Sequence, residues 1–126
     1  MRLLLDTHVY LWVVSDSARL KREARRLIAA ADAVYVSSAS IWEIAIKTRL
    51  GKIKADPAAL ADAITATGCI ELPVSSRHAA AVAALPDHHG DPFDRMLIAQ
   101  ARVEPLRLLT ADALLARYGD HVEVIA

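Results

Sequence analysis

The stretch Arg2-Leu3-Leu4-Leu5-Asp6-Thr7 decides the fold. Three consecutive leucines leave no polar position to face water, which suits a strand buried on both faces of a parallel sheet. Asp6 ends the apolar run. Similar short apolar runs recur at residues 33–37, 69–72, 106–110 and 122–125. Between them the periodicity turns helical. A helix is expected over 7–14, and another opens at Asp16-Ser17, with Leu20, Ala24, Leu27, Ile28 and Ala31 on one face. Residues 38–50 form the next, closed by Gly51 as the residue past its C-terminus. Asp56-Pro57 caps one that stops at Gly68, Ser75-Ser76 begins an alanine-rich helix reaching Leu85, and Ala111 to Tyr118 forms a short one. Strands alternating with helices, without hairpin signals, give a small three-layer α/β/α domain with a central parallel sheet of about five strands. The whole chain, 1–126, reads as one such domain.

Composition narrows the function. Formal net charge is zero, so any polyanion must be met by a local basic patch rather than by the whole molecule. A mean hydropathy of +0.28 is high for a soluble monomer and implies apolar surface covered by a partner. The single cysteine, Cys69, excludes an intrachain disulfide and is expected as a buried, inert thiol. No signal peptide or membrane span is expected, since Asp6 interrupts the N-terminal leucines, and a cytoplasmic location follows.

The chemistry resides in acids that the topology gathers. Parallel sheets bind ligands beyond the carboxyl ends of their strands. Asp6 ends the first strand, and Asp112, in Thr110-Ala-Asp112, follows the fourth. Glu43 lies early in the helix after the second strand. In Asp91-Pro92-Phe93-Asp94-Arg95, Asp91 reads as an N-cap before a proline at the first helical position, which puts Asp94 in the first turn. Each acid has an ordinary explanation. Ser40-Ile-Trp-Glu43 matches a capping box, and Asp6, Asp91 and Asp112 would cap the helices that follow them. Convergence of all of them is less ordinary. Carboxylates within about 4 Å repel by roughly 4 kcal/mol at an effective dielectric near 20, so such a cluster holds protons or binds a cation. Oxygen donors select a hard ion, Mg²⁺ or Mn²⁺, which can generate a hydroxide nucleophile and stabilise charge on a phosphodiester.

Taken together, Leu3-Leu-Leu-Asp6-Thr7-His8, Ser40-Ile-Trp-Glu43-Ile-Ala, Asp91-Pro-Phe-Asp94-Arg-Met-Leu-Ile-Ala-Gln-Ala and Leu109-Thr110-Ala-Asp112 resemble, in order and spacing, the PIN-domain ribonucleases. More narrowly they resemble the VapC toxins of bacterial toxin–antitoxin pairs. The resemblance spans nearly the whole chain, and its Asp-Pro-Phe-Asp-Arg block is its most specific part. It implies that Asp6, Glu43, Asp94 and Asp112 are the catalytic, metal-holding acids. Thr110 matches the family's hydroxyl near the metal, and Asp91 is either an outer partner of the ion or the cap alone. It further implies Mg²⁺- or Mn²⁺-dependent RNA cleavage by a homodimer that a small antitoxin protein silences, and a first strand lying beside the fourth.

Lys47, Arg49 and Arg95 lie near the acids in sequence and could hold an RNA backbone, while Lys52 and Lys54 read as a solvated helix end. The basic run from Arg19 to Arg26 reads as a solvated face. His88-His89 reads as surface decoration, since adjacent residues rarely point at one metal, and His8 as a packed structural residue. Trp12 and Trp42 read as core or interface. Two further functions compete with the nuclease. A phospho-accepting Mg²⁺-binding domain is disfavoured because Asp6-Thr7-His8 lacks the second acid of a phosphatase Asp-x-Asp motif, and no acceptor aspartate follows the third strand. A non-catalytic interaction module on the same fold is disfavoured by the intact acids.

Overall fold

The computed structural model describes residues 1–125; Ala126, the last residue of the expected domain, lies outside the described residues. Strands β1 (Arg2–Leu5), β2 (Ala33–Ser37), β3 (Ile70–Leu72), β4 (Arg107–Thr110) and β5 (Val122–Val124) form one parallel sheet in the order β3-β2-β1-β4-β5. Leu3, Leu4 and Leu5 pair with Arg107, Leu108 and Leu109 on one side and with Val34, Tyr35 and Val36 on the other. The strand order runs outward from β1 in both directions, so β1 and β4 flank the switch point where such sheets open a crevice.

Helices α1 (Thr7–Val14), α2 (Arg22–Ala30), α3 (Ser38–Arg49), α4 (Pro57–Ala66), α5 (Ser76–Ala81) and α6 (Pro92–Val103) cover the two faces, with 3-10 turns at Val82–Ala84 and Ala113–Tyr118. The alternation of side chains along a strand divides the leucines between two cores. Leu3, Leu5 and Leu109 pack with Val9, Tyr10, Ile44 and Ile64; Leu4 and Leu108 pack with Leu97, Ile98, Leu115 and Tyr118. Both neighbours of each strand residue therefore exclude water, which explains the unbroken apolar run of β1. The Tyr10 hydroxyl donates to the Leu60 carbonyl at 2.5 Å, tying α1 to α4, and burial pushes its pKa up to about 12. Buried His78 accepts from the Ser75 amide at Nδ1 and meets the Glu104 carboxylate at 2.6 Å through Nε2, tying α5 to the end of α6.

Some boundaries differ from expectation. The second helix begins at Arg22 rather than at Asp16-Ser17. Arg25 explains this: its guanidinium donates to Asp16 Oδ1, the Ser17 carbonyl and the Leu20 carbonyl, holding residues 16–20 as a turn in which Asp16 has φ 50°. Leu20 and Ala24 keep the expected buried face. The alanine-rich helix ends at Ala81 and tightens into a 3-10 turn, and the segment after β4 is 3-10 rather than α. Gly51, at φ 74°, takes the left-handed conformation expected past the C-terminus of α3. Cys69 is buried, and burial raises its thiol pKa, as an inert thiol requires. Among the described residues no helix is long and apolar enough to cross a membrane.

Leu109 lies fully buried in the central strand pair, so Leu109→Ala should lower the unfolding free energy by about 2–5 kcal/mol. Urea titration should show a reduced midpoint with an unchanged slope; a loss under about 1 kcal/mol would contradict the packing described.

Candidate metal centre

The carboxyl ends of β1 and β4 carry the first part of the site. Asp6 leaves β1 in an extended conformation and caps α1, its Oδ1 accepting from the His8 amide at 3.0 Å. That cap uses one oxygen. The other, Oδ2, accepts from the Thr110 hydroxyl at 2.5 Å, and Thr110 Oγ1 accepts in turn from the Asp112 amide at 3.1 Å. Asp112 also spends only Oδ1 on its cap, accepting from the Leu114 amide at 3.0 Å. Asp6 and Thr110 are buried, and burial raises the Asp6 pKa, with the Thr110 and His8 hydrogen bonds opposing and nearby Glu43 adding to the rise.

Glu43 enters from α3. The expected capping box is not formed. Ser37 is the N-cap of α3, its hydroxyl accepting from the Ala39 amide, so Ser40 and Glu43 both lie inside the helix. Freed from capping, Glu43 is buried against α1. Its Oε1 accepts from the Thr7 hydroxyl at 2.7 Å, Thr7 Oγ1 lies 2.9 Å from Ser40 Oγ, and Glu43 Oε2 pairs with Lys47 Nζ at 2.6 Å. The Glu43 hydrogen bond raises the Lys47 pKa, desolvation opposes it, and the charges of Glu43, Asp91 and Asp94 add to the rise.

The N-terminus of α6 supplies the rest. Asp91 is the N-cap, its Oδ1 accepting from the Phe93 amide at 2.8 Å and the Asp94 amide at 3.0 Å, with Pro92 opening the helix as expected. This cap fixes where the helix starts and so aims Asp94. Asp94 Oδ2 lies 2.8 Å from His89 Nε2. Desolvation pushes the Asp94 pKa up to about 6; the His89 hydrogen bond opposes this, while Asp91 and Asp6 add to it. One donor atom each from His89, Asp94 and Asp112 falls within a mutual 4.8 Å.

The structure thus gathers Asp6, Glu43, Asp91, Asp94, Thr110 and Asp112 at one sheet edge, and Lys47 with them. Arg49 does not join: it is exposed, and two residues on from Lys47 it projects about 200° around the helix. Arg95 is also used elsewhere. Its Nη1 reaches the Pro86 carbonyl at 2.9 Å, the His89 carbonyl at 3.3 Å and the Tyr118 hydroxyl at 3.3 Å, so it clamps the loop before α6. His8 is exposed rather than packed. Trp12 packs against the core, whereas Trp42 is 64% exposed, edge-on to Phe93 at 5.2 Å. Thr7 and Ser40 are contributors the sequence did not single out, and His89, read there as surface decoration, instead stands half-buried against Asp94. Thr7 had one signal, its place directly after the strand-ending acid. His89 had its closeness to Asp91, outweighed by the adjacency of a second histidine.

The donor set suits a small divalent cation. It combines a surplus of carboxylate with donor atoms of Asp94 and Asp112 close enough to share one ion, and burial, with the charges of Asp91 and Asp6 adding to it, raises the Asp94 pKa to about 6, a cost that a bound cation would offset. Asp6 and Glu43 stand beside this pair with their oxygens engaged by Thr110, Thr7 and Lys47.

Comparison with known families agrees with this geometry: the family model described as PIN domain matches residues 3–120. The chain belongs to the PIN domain family. Among solved structures, this PIN domain is similar to a chain of VapBC2 from Rickettsia felis bound to a DNA fragment from their promoter. That similarity has a TM-score of 0.69 at 13% identity and covers 99% of this chain and 98% of that one. It is also similar to a chain of a toxin–antitoxin complex from Klebsiella pneumoniae, with a TM-score of 0.65 at 17% identity over 97% of this chain and 96% of that one. At these identities the likeness is one of fold. No curated protein sequence matches the chain.

Because the folded chain keeps a proton on Asp94 up to about pH 6 and an ordinary aspartate loses it near 3.8, this group favours the folded state below about pH 4. That contribution is lost as the pH rises through about 6. Cation-free Asp94→Asn should therefore gain stability relative to the parent as pH rises across this window, by about 1 kcal/mol after allowing for solvent screening. Urea unfolding at pH values on both sides of the window measures it; a difference independent of pH would contradict the assignment.

Proposed function

We propose that this PIN domain, as one folded unit, is a metal-dependent endoribonuclease acting in the cytoplasm as the toxin of a toxin–antitoxin pair. The observation that carries the reading is the convergence of Asp6, Glu43, Asp94 and Asp112, from four separate parts of the chain, at the switch point of the sheet. Membership of the PIN family and a fold shared with chains of toxin–antitoxin structures support the nuclease and toxin parts.

In this reading Asp94 and Asp112, with Asp6 and Glu43 beside them, hold Mg²⁺ or Mn²⁺. When bound, such an ion supplies positive charge to a phosphodiester oxygen and makes water a stronger nucleophile at neutral pH. The chain's own residues do the positioning. Thr110 fixes the Asp6 carboxylate through one hydrogen bond while receiving the Asp112 amide, so it links the ends of β1 and β4. Thr7 and Lys47 hold both oxygens of Glu43. Asp91 sets the first turn of α6 and thereby the direction of Asp94. Lys47 offers the positive charge nearest these acids and is the residue we assign to the RNA backbone. Arg95 serves that backbone only indirectly, by holding the loop.

Protein partners follow from the exposed apolar surface. Trp42 and Ile46 on α3 and Leu50 just past its end recur at four-residue spacing, with Val74 also exposed. A cavity of about 570 Å³ next to them is lined by Trp42, Val74, Val82, Phe93 and Met96 among others. This is the surface the high hydropathy foreshadowed. An inhibitory antitoxin and a second copy of the chain are the partners the toxin reading names.

The purified chain should cleave RNA when Mg²⁺ or Mn²⁺ is present and stop when the ion is chelated. Asp6→Asn should reduce cleavage by about 100-fold or more while leaving the circular dichroism spectrum unchanged. Cleavage retained in a folded Asp6→Asn protein would overturn the assignment. Calorimetry that detects no Mn²⁺ binding would favour a non-catalytic interaction module.

A further inference from the structure

One side chain from the loop before α6 points into the acid cluster. His89 Nε2 lies 2.8 Å from Asp94 Oδ2, and donor atoms of His89, Asp94 and Asp112 all lie within 4.8 Å of one another. The loop does not leave His89 there by chance. Its carbonyl accepts from Arg95 Nη1 at 3.3 Å and lies 3.5 Å from the Tyr118 hydroxyl. The neighbouring His88 ring stands edge-on to the Tyr118 ring, with centroids 5.1 Å apart. The adjacent histidines therefore diverge. His88 anchors the loop on Tyr118, and His89 turns to the acids.

An imidazole beside a metal-holding carboxylate can act in two ways. It can hold the carboxylate in place, or it can give its own lone pair to the same ion. The 2.8 Å contact of His89 with Asp94 fits either role, being an ordinary hydrogen-bond length; the donor atom of Asp112 within the same 4.8 Å is what favours the second. Two donors at about 2.1 Å from one ion and at right angles to each other are about 3.0 Å apart, and two opposite donors are about 4.2 Å apart. The His89–Asp94 separation of 2.8 Å is close to the first figure, and the full set within 4.8 Å needs only small side-chain adjustments to meet the second. Ligation would need only the proton of neutral imidazole to sit on Nδ1, leaving Nε2 as the donor.

We propose that His89 is a nitrogen ligand of the divalent cation held by Asp94 and Asp112, which makes the site selective for Mn²⁺ over Mg²⁺. The inference rests on the reading above that the acids hold a cation, and it adds both the donor and the preference. Mg²⁺ is a hard ion that keeps oxygen ligands and its own waters, so a nitrogen donor gains it little. A first-row transition ion gains more from imidazole. The site is thereby tuned by a residue outside the acid set.

The test uses the full chain loaded with Mn²⁺, read by pulsed electron paramagnetic resonance and by calorimetry rather than by cleavage. The parent should show the nitrogen-14 modulation of a directly bound imidazole. His89→Ala should lose it, and His8→Ala, altering the exposed histidine near Asp6, should keep it. Calorimetry should show the Mn²⁺ affinity of His89→Ala weakened about tenfold or more, and its Mg²⁺ affinity changed by less than about threefold. Circular dichroism confirms that each variant is folded. A parent that binds Mn²⁺ without directly bound nitrogen would overturn the inference while leaving the cation reading intact, with His89 then only orienting Asp94. A parent that binds neither ion would overturn the cation reading itself.

Discussion

The hydrogen bond from Thr110 to Asp6, 2.5 Å long and fully buried, joins two strands that stand 104 residues apart in sequence. It exists because β1 and β4 are parallel neighbours in register, with Leu5 opposite Leu109, so that Asp6, just past the end of β1, stands level with Thr110, the last residue of β4. Everything else at the site is referred to that edge. Asp112 is held to it through the Thr110 hydroxyl and Glu43 through Thr7, while Asp94 is brought there by the Asp91 cap of α6. Slipping β4 by a single residue would turn Thr110 to the opposite face and break its bond to Asp6.

Capping and chemistry share the same carboxylates here. Asp6, Asp91 and Asp112 each use Oδ1 to satisfy the first amides of the segment that follows. A cap needs one oxygen, so the second is left to meet a hydroxyl, a neighbour's charge or a cation. This division fixes the side chain before any ligand arrives, which lowers the entropy lost on binding. It also means the ordinary explanation for these acids was correct without being complete. Glu43 and Asp94 cap nothing: Glu43 is buried with both oxygens engaged, by Thr7 and Lys47, and Asp94 meets His89.

The electrostatic balance of the edge is deliberately incomplete. Lys47 offsets Glu43, but burial raises the Asp94 pKa, with Asp91 and Asp6 adding to the rise. Titratable groups with shifted pKa values cluster at functional sites. The loop before α6 shows the same economy. Arg95, which sequence proximity suggested for the RNA, is spent on carbonyls that hold the loop, and the loop in turn presents His89. On the outer face, Trp42 and Leu50 remain 64% and 62% exposed, which gives the high hydropathy a structural location.

Local sequence alone determined the strands, the caps and the parallel sheet, because these depend on short-range properties: unbroken apolar runs, helical spacing, and Asp-Pro or Ser at helix starts. It also placed Asp94 in the first turn of α6, since an N-cap followed by proline fixes the count of residues. The start of α2 was not legible, because Arg25 reaches back to carbonyls and a carboxylate that propensity does not register. The role of Glu43 was masked by a capping-box pattern that Ser37 pre-empted. Only the tertiary structure decided which basic residues join the acids, because that depends on direction: Lys47 shares the face of Glu43, Arg49 leaves it, and Arg95 turns to the loop. The same holds for His89. Two adjacent histidines look alike in a sequence, and packing of one ring on Tyr118 is what sends the other toward Asp94.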